Sequence, residues 1–215
     1  MSPFFDWTFT LVDEKVSTIA NTVVASTQIL SDAPALGQLL DARLKYFLKV
    51  KLDQQIIAGT GVGSQMNGLT KAGNYTSFSP TSGETGLDSI NRALGVLETN
   101  EAVGDVVVLN PWDYRSLQRI KGAVEGAYVF GSPSGANDEN VWAVEVLPSN
   151  AVSAGNFLAL DTTQLGALFL REDASVQLGY TGSQFTQNLV TILAECRAVI
   201  GVMRSQAVVY GALTL

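Results

Sequence analysis

The segment from Asp32 to Leu69, DAPALGQLLDARLKYFLKVKLDQQIIAGTGVGSQMNGL, constrains the fold more than any other stretch of the chain. Asp32 offers a side-chain N-cap, and Pro34 suits a first helical turn, where its missing N–H is no loss. From there to Ala58 the pattern is helical. Leu36, Leu40, Leu44, Phe47 and Leu48 fall on one stripe, with Gln38, Lys45, Lys49 and Asp53 opposite. Roughly 24 residues at about 1.5 Å each make a rod of about 36 Å, long for a domain this size. Phe47 is expected in the core and Lys49 in solvent. Lys51 falls inside the apolar stripe and must reach outward or find an acid. Gly59 ends the helix, and the glycine-rich stretch after it reads as a flexible loop.

Around this rod the chain alternates strand and helix signals. Phe4 to Leu30 is rich in Thr, Val, Ile and aromatic residues, with partial alternation at Val16, Thr18, Ala20, Thr22 and Val24, and reads as strands. Gly59 to Gly86 reads as loop. A second amphipathic helix is predicted from Leu87 to about Asn100, with Leu87, Ile90, Ala93, Leu94 and Leu97 inward. Thr85 and Asp88 stand at capping-box spacing, with Asp in place of Glu. Asp105–Leu109 is a short apolar strand. Asn110 and Pro111 then read as N-cap and N1 of a helix through about Lys121. Gly131 to Asn140 is a polar turn region. Strands are predicted at Val141–Leu147, Asn156–Asp161, Ala167–Leu170, Ser175–Gly179, Gln187–Val202 and Gln206–Leu213. Because the long helix and the final strands each need an apolar partner, the pattern predicts a two-part α+β body to which the chain returns.

Composition narrows the functions open to such a body. Apolar residues make up 47% of the 215 and charged residues only 15%, with mean hydropathy +0.21; about a quarter charged is usual for a soluble monomer. No stretch approaches the roughly 20 apolar residues of a spanning helix, and MSPFFDWTFT lacks the basic region of a signal peptide. Surface covered by other subunits accounts better for the balance. The net charge is −7, with only 13 Lys and Arg. The densest group, Arg43, Lys45, Lys49 and Lys51, is spread around a helix, which opposes tight nucleic-acid binding. There is no histidine, so the usual general base, the usual zinc ligand and every Ser-His or Cys-His dyad are missing. The single cysteine, Cys196, lies in LVTILAECRAVIGV and reads as a buried, inert hydrophobe. No intramolecular disulfide can form, which suits a reducing compartment.

The motifs that could carry chemistry fail on context. GTGVGSQMNG, Gly59 to Gly68, superficially resembles a phosphate-binding loop, but its glycines follow a helix instead of opening one. The nearest lysine, Lys71, lacks the neighbours of a Walker-type loop. GSPSG, Gly131 to Gly135, has proline where a nucleophile elbow has serine. Glu172, Asp173 and Glu195 have no metal-cage spacing and read as solvated or ion-paired surface. Trp7, Trp112 and Trp142 lack basic interleaving and read as core or interface anchors. No catalytic, cofactor-binding or metal-binding residue is assigned, and no cofactor is expected.

The Asp32–Leu69 block is followed, at characteristic spacing, by Val106 to Pro133, VVVLNPWDYRSLQRIKGAVEGAYVFGSP, and then by a strand-rich tail ending near Leu213. In this order the blocks resemble the major capsid proteins of tailed bacteriophages, the Hong Kong 97-type shell fold, from about Thr8 to the C-terminus. The resemblance implies a peripheral domain (14–60 and 172–203) carrying the long "spine" helix. It implies an axial domain (61–171 and 204–215) with a mixed sheet and flanking helices, and reads residues 1–13 as the remnant of an extended loop.

By the same resemblance the protein is structural and not an enzyme. It would form pentamers and hexamers of an icosahedral shell around a phage or prophage genome, with portal and scaffold partners and no membrane. It would sit in the virion after assembly in the bacterial host cytoplasm. An encapsulin-like compartment shares the fold, although VLNPWDY and GAYVFGSP look more phage-like; a nucleotide-binding enzyme using Gly59–Gly68 is the alternative from another class. Some relatives weld subunits through a Lys–Asn isopeptide bond. Here the acceptor position holds Gln184 and the donor half of the loop is missing, so cross-linking is not expected. The chain begins midway through the extended loop, on its returning strand at about Phe4 to Val12. It is therefore expected to fold yet to assemble weakly, as monomers or isolated rings.

Overall fold

The computed structural model describes residues 11–28, 34–122, 128–129 and 140–214. Its elements, in chain order, are β1 (Ser17–Ser26), α1 (Pro34–Ala58), β2 (Thr76–Phe78), α2 (Gly86–Thr99), β3 (Val106–Leu109), α3 (Pro111–Gln118), β4 (Asn140–Val141), β5 (Val144–Pro148), β6 (Asn156–Leu160), β7 (Gly166–Gly179), β8 (Leu189–Val202) and β9 (Val208–Ala212). They make two sheets, ordered β1-β8-β7 and β2-β9-β6-β3-β5-β4.

The first lobe is the three-stranded sheet with α1 across it. β1 pairs antiparallel with β8 from Ser17↔Ala198 to Ser26↔Leu189. Strict alternation puts Val190, Ile192, Ala194, Cys196, Ala198 and Ile200 of β8 on one buried face. Three of these are small, so the helix comes close. Leu44 packs with Ile192 and Ala194, and Leu48 with Ile19, Cys196, Ala198 and the fully buried Met66. The contact is narrow, so only one row of helix residues is covered. Phe47 stands about 60° round the helix from Leu44 and is 50% exposed. The expectation that Phe47 is core is therefore overturned. Lys51 reaches outward.

The second lobe is a mixed sheet with α2 and α3 on one face. β3 lies between β5, parallel, and β6, antiparallel, while β9 carries β6 on one side and β2 on the other. β3 and β6 are apolar almost without alternation, as strands covered on both faces are. One face packs Val107, Leu109, Phe157 and Ala159 against Ile90, Leu97 and Leu117 of the helices. The other packs Val108, Leu158 and Leu160 against Ile57 from α1 and Ile200 from β8, which joins the lobes. Gly211 lets β2 approach β9, since a Cβ there would lie 2.2 Å from the Phe78 carbonyl oxygen. The caps form as expected. Thr85 and Asp88 make the reciprocal capping box, and Asn110 accepts from the Trp112 N–H at 3.0 Å.

Several boundaries differ from expectation. The predicted loop Gly59–Gly86 contains β2, three residues that gain their order from distant β9. The helix begun at Pro111 ends at Gln118 rather than Lys121. Val141–Leu147 is a hairpin, β4 and β5, turned by Trp142 and Ala143 at φ 54° and 64°, the left-handed pair of a tight two-residue turn. The two strands expected at Ala167–Leu170 and Ser175–Gly179 are one strand, β7, with register shifts at Leu170/Glu172 and Glu172/Ser175; bulges absorb the charged interruption. Gln184–Gln187 is a 3-10 turn before β8. Of the strands read in Phe4–Leu30, Ser17–Ser26 is observed, and residues 11–16 are not strand. The Asp32 cap, Trp7 and Gly131–Gly135 lie outside the described residues.

Candidate assembly surfaces

β1 and β7 are the two edges of the first sheet, and β7 is the least covered element among the described residues. It pairs with β8 alone. Apart from half-buried Gly166 and Val176, every residue along its 14-residue length is exposed. Leu168, Phe169, Leu170 and Leu178 all stand in solvent. An uncovered edge strand with apolar residues at both ends of a charged middle is a template for pairing or packing with another chain. Sequence reasoning took ALFL for a strand but not for bare surface. Glu172 of this strand pairs with Arg197 of β8 at 3.1 Å, an exposed pair that contributes little to stability.

At the far end of the ribbon, Tyr180 and Phe185 meet edge-on with ring centroids 5.8 Å apart, both exposed. Gln184 sits in this tip. Its side-chain oxygen accepts from the Thr181 N–H at 2.9 Å and from the Thr191 hydroxyl at 2.8 Å. The amide carbonyl at the expected acceptor position is thus engaged within the turn. Cys196 lies behind the ribbon against α1, where burial pushes its thiol above the ordinary value.

The glycine stretch after α1 is not a loose loop. The Gly61 N–H donates to the Met66 carbonyl at 2.7 Å, the Gly68 N–H to the Gly59 carbonyl at 2.9 Å, and the Leu69 N–H to the Ile56 carbonyl at 2.8 Å. Met66 plugs it into the first core. No helix N-terminus opens from it, so the geometry that cradles a phosphate is not formed there.

In the second lobe, Trp112 is 77% exposed at the start of α3, and Trp142 is exposed with its indole N–H donating to the Leu87 carbonyl at 3.0 Å. They are surface residues, not core anchors. The buried acids are structural. Asp113 accepts from the Gly155 N–H at 2.7 Å. Asp161 accepts from the backbone N–H groups of Val103, Thr163 and Gln164. Burial opposes its charge, but those bonds and the Thr163 hydroxyl outweigh it and hold the carboxyl below the ordinary range. Asp53 of α1 lines a hollow with Pro148 and Ser149, and partial burial there pushes its carboxyl above the ordinary value. Among the described residues no three Cys, Asp or Glu side chains converge as metal ligands, and no helix is long and apolar enough to cross a membrane.

Comparison with known proteins places this arrangement. The sequence model of the phage capsid family matches residues 6–213. The major capsid protein of Enterobacteria phage HK97 is 32% identical over 213 residues, covering 98% of this chain and 55% of its own, so the chain spans about half the length of that relative. Among solved structures, that of Gordonia phage Cozz superposes with TM-score 0.76 at 12% identity, over all of this chain and 78% of its own. The capsid of an empty GTA particle computed with C5 symmetry gives 0.72 at 17% identity, over all of this chain and 81% of its own. The structure from Microbacterium phage Oxtober96 gives 0.72 at 18% identity, over 94% and 73%. At these identities the superpositions establish a shared fold.

Proposed function

The chain belongs to the phage capsid family, and on that premise we propose that it is a major capsid subunit whose copies assemble into rings and then a closed shell around a phage or prophage genome. The observation that supports this most is β7, a 14-residue edge strand bearing Leu168, Phe169, Leu170 and Leu178 in solvent. Neighbouring copies would cover that surface. In this reading the first lobe answers to the peripheral domain that the resemblance sets at 14–60 and 172–203, stiffened by α1. It takes in also the start of β7 (Gly166–Gly179) through its pairing with β8, and Met66 through the first core. The second answers to the axial domain set at 61–171 and 204–215, less those residues, packed around five- and six-fold axes. Head-to-tail contacts between different patches close into rings when the rotation permits. Standard interfaces of about 1,600 Å² each would use the low charge and high apolar fraction. The protein acts as structure and not as an enzyme, its partners are further copies together with portal and scaffold proteins, and its place is the virion.

Negative-stain electron microscopy and sedimentation of the purified chain test the reading. Weak assembly is expected, with isolated rings that grow in number with concentration; closed shells would support the reading while showing that the rest of the extended loop is dispensable. A monomer at every concentration, stabilised thermally by a nucleotide, would overturn it in favour of an enzyme.

A further inference from the structure

The run of chain just before β1 is tied to the glycine loop by side chains. That loop is a firm base, closed by its own hydrogen bonds and plugged by Met66 among Ile19, Leu48 and Cys196, so it cannot shift without opening the first core. On this base Asn67 is held from both ends. Lys71 Nζ donates to its Oδ1 at 2.6 Å, and its Nδ2 donates to a carboxylate oxygen of Glu14, far away in sequence. Lys15, the next residue, donates to the Gly63 carbonyl at 3.2 Å. Gly61 lies beneath at φ +73°, and a Cβ there would fall 1.9 Å from Asn67 Oδ1 and 2.9 Å from Lys71 Nζ. The loop's glycine therefore makes the space in which the amide sits.

We propose that Glu14, Asn67 and Lys71 form a clasp that fixes the direction in which residues 11–16 leave the first lobe, with Asn67 as its positioning residue. The neutral amide joins an acid and a base that stand too far apart to pair directly, giving two charge-assisted hydrogen bonds in fixed geometry. Leu11 and Val12, both exposed, lie beyond the clasp and are aimed by it. In a shell that aim decides which surface the segment reaches, but the clasp itself does not depend on the shell reading.

The test is the rate of tryptic cleavage between Lys15 and Val16 in the full chain, at a concentration where light scattering shows no association. Failure of the clasp is thereby separated from failure of assembly. A protease must detach several residues around the bond, including the start of β1, so cleavage reports opening of this segment. Asn67→Leu, which keeps the size and removes both bonds, should speed cleavage about tenfold at unchanged thermal midpoint. Lys71→Met should also speed it, while Lys71→Arg, which keeps a cationic donor, should stay near the parent rate. Unchanged cleavage in both Asn67→Leu and Lys71→Met overturns the clasp. So does faster cleavage accompanied by a lowered midpoint, which would make Asn67 a packing residue of the loop.

Discussion

In the six-stranded lobe β3 and β6 are covered on both faces, whereas in the three-stranded lobe β7 is covered on almost none of its length. Both kinds of strand draw their apolar residues from Val, Leu, Phe and Ala, although β7 also carries Arg171, Glu172, Asp173, Ser175 and Gln177. The first kind is enclosed by α2 and α3 on one side and by Ile57, Val152 and Ile200 on the other. β8, in the middle of the smaller sheet, buries one face under a single helix, and β7 only borrows its ladder. One lobe has its sheet covered on both faces, the second face with the help of Ile57 and Ile200 from the other lobe. The other is half a core, held in shape by its pairing to β8 and by the closeness that Ala194, Cys196 and Ala198 allow. An assembly subunit needs both: a part whose core is closed within the chain and a part that stays unfinished until it meets a neighbour.

The sharpest way to break this comparison is to remove packing at the centre of the closed lobe. Phe157 is fully buried and meets Phe78 at 5.3 Å between ring centroids. Phe157→Ala should cost about 3–5 kcal/mol in chemical denaturation, a large share of a domain's stability. A cost below about 1 kcal/mol would mean that the two-faced core is not the structural centre.

The half-core should respond more selectively. Leu48 is buried between β1 and β8, so Leu48→Ala should cost about 2–4 kcal/mol. Phe47→Asp, one residue away, should change stability by no more than about 1 kcal/mol, because that ring is half in solvent. Equal costs for the two would restore the broad apolar stripe that the sequence suggests.

That neighbouring pair shows where reading the sequence stops working. Caps were legible because they are local chemistry: Pro34 begins α1, Thr85 with Asp88 begins α2, and Asn110 begins α3. The helix stripe was legible in phase but not in width, since width depends on how small the facing side chains are. β2 was invisible, being three residues ordered by a partner more than a hundred positions away. The burial of Met66 was equally hidden, as the glycines around it suggested looseness. The bareness of Leu168 to Leu170 could not be read either, because an apolar strand looks the same whether its own fold or another chain covers it.

A smaller effect separates the lobes by pH. Asp161, 2% exposed at the end of β6, accepts several hydrogen bonds, and its carboxyl sits below the ordinary aspartate value of 3.8. The sign follows from linkage. A depressed folded value adds stability that is fully present above 3.8 and is lost as pH falls through the lower folded value. Asp161→Asn should cost about 1–3 kcal/mol near neutral pH. The gap between variant and parent should narrow as pH drops below 3.8. A gap that stays constant through acid would show that the carboxylate's charge contributes nothing there.

The smallest effect on folding is expected where the effect on association should be greatest. Leu170 stands exposed on β7, opposite Ala198 of β8 and just before the first register shift. Replacing it with lysine removes no buried contact and adds a charge that water can reach, so Leu170→Lys should alter unfolding by no more than about 0.5 kcal/mol. Lysine on an edge strand is also an effective block to pairing with another chain. If β7 is the unfinished part of the subunit, sedimentation should show the weight-average mass falling towards the monomer at concentrations where the parent chain associates. Should Leu170→Lys unfold the lobe instead, β7 would belong to its core. Should it fold and associate like the parent, the neighbour's contact would have to lie elsewhere, with the exposed Trp112 of the closed lobe as the next residue to change.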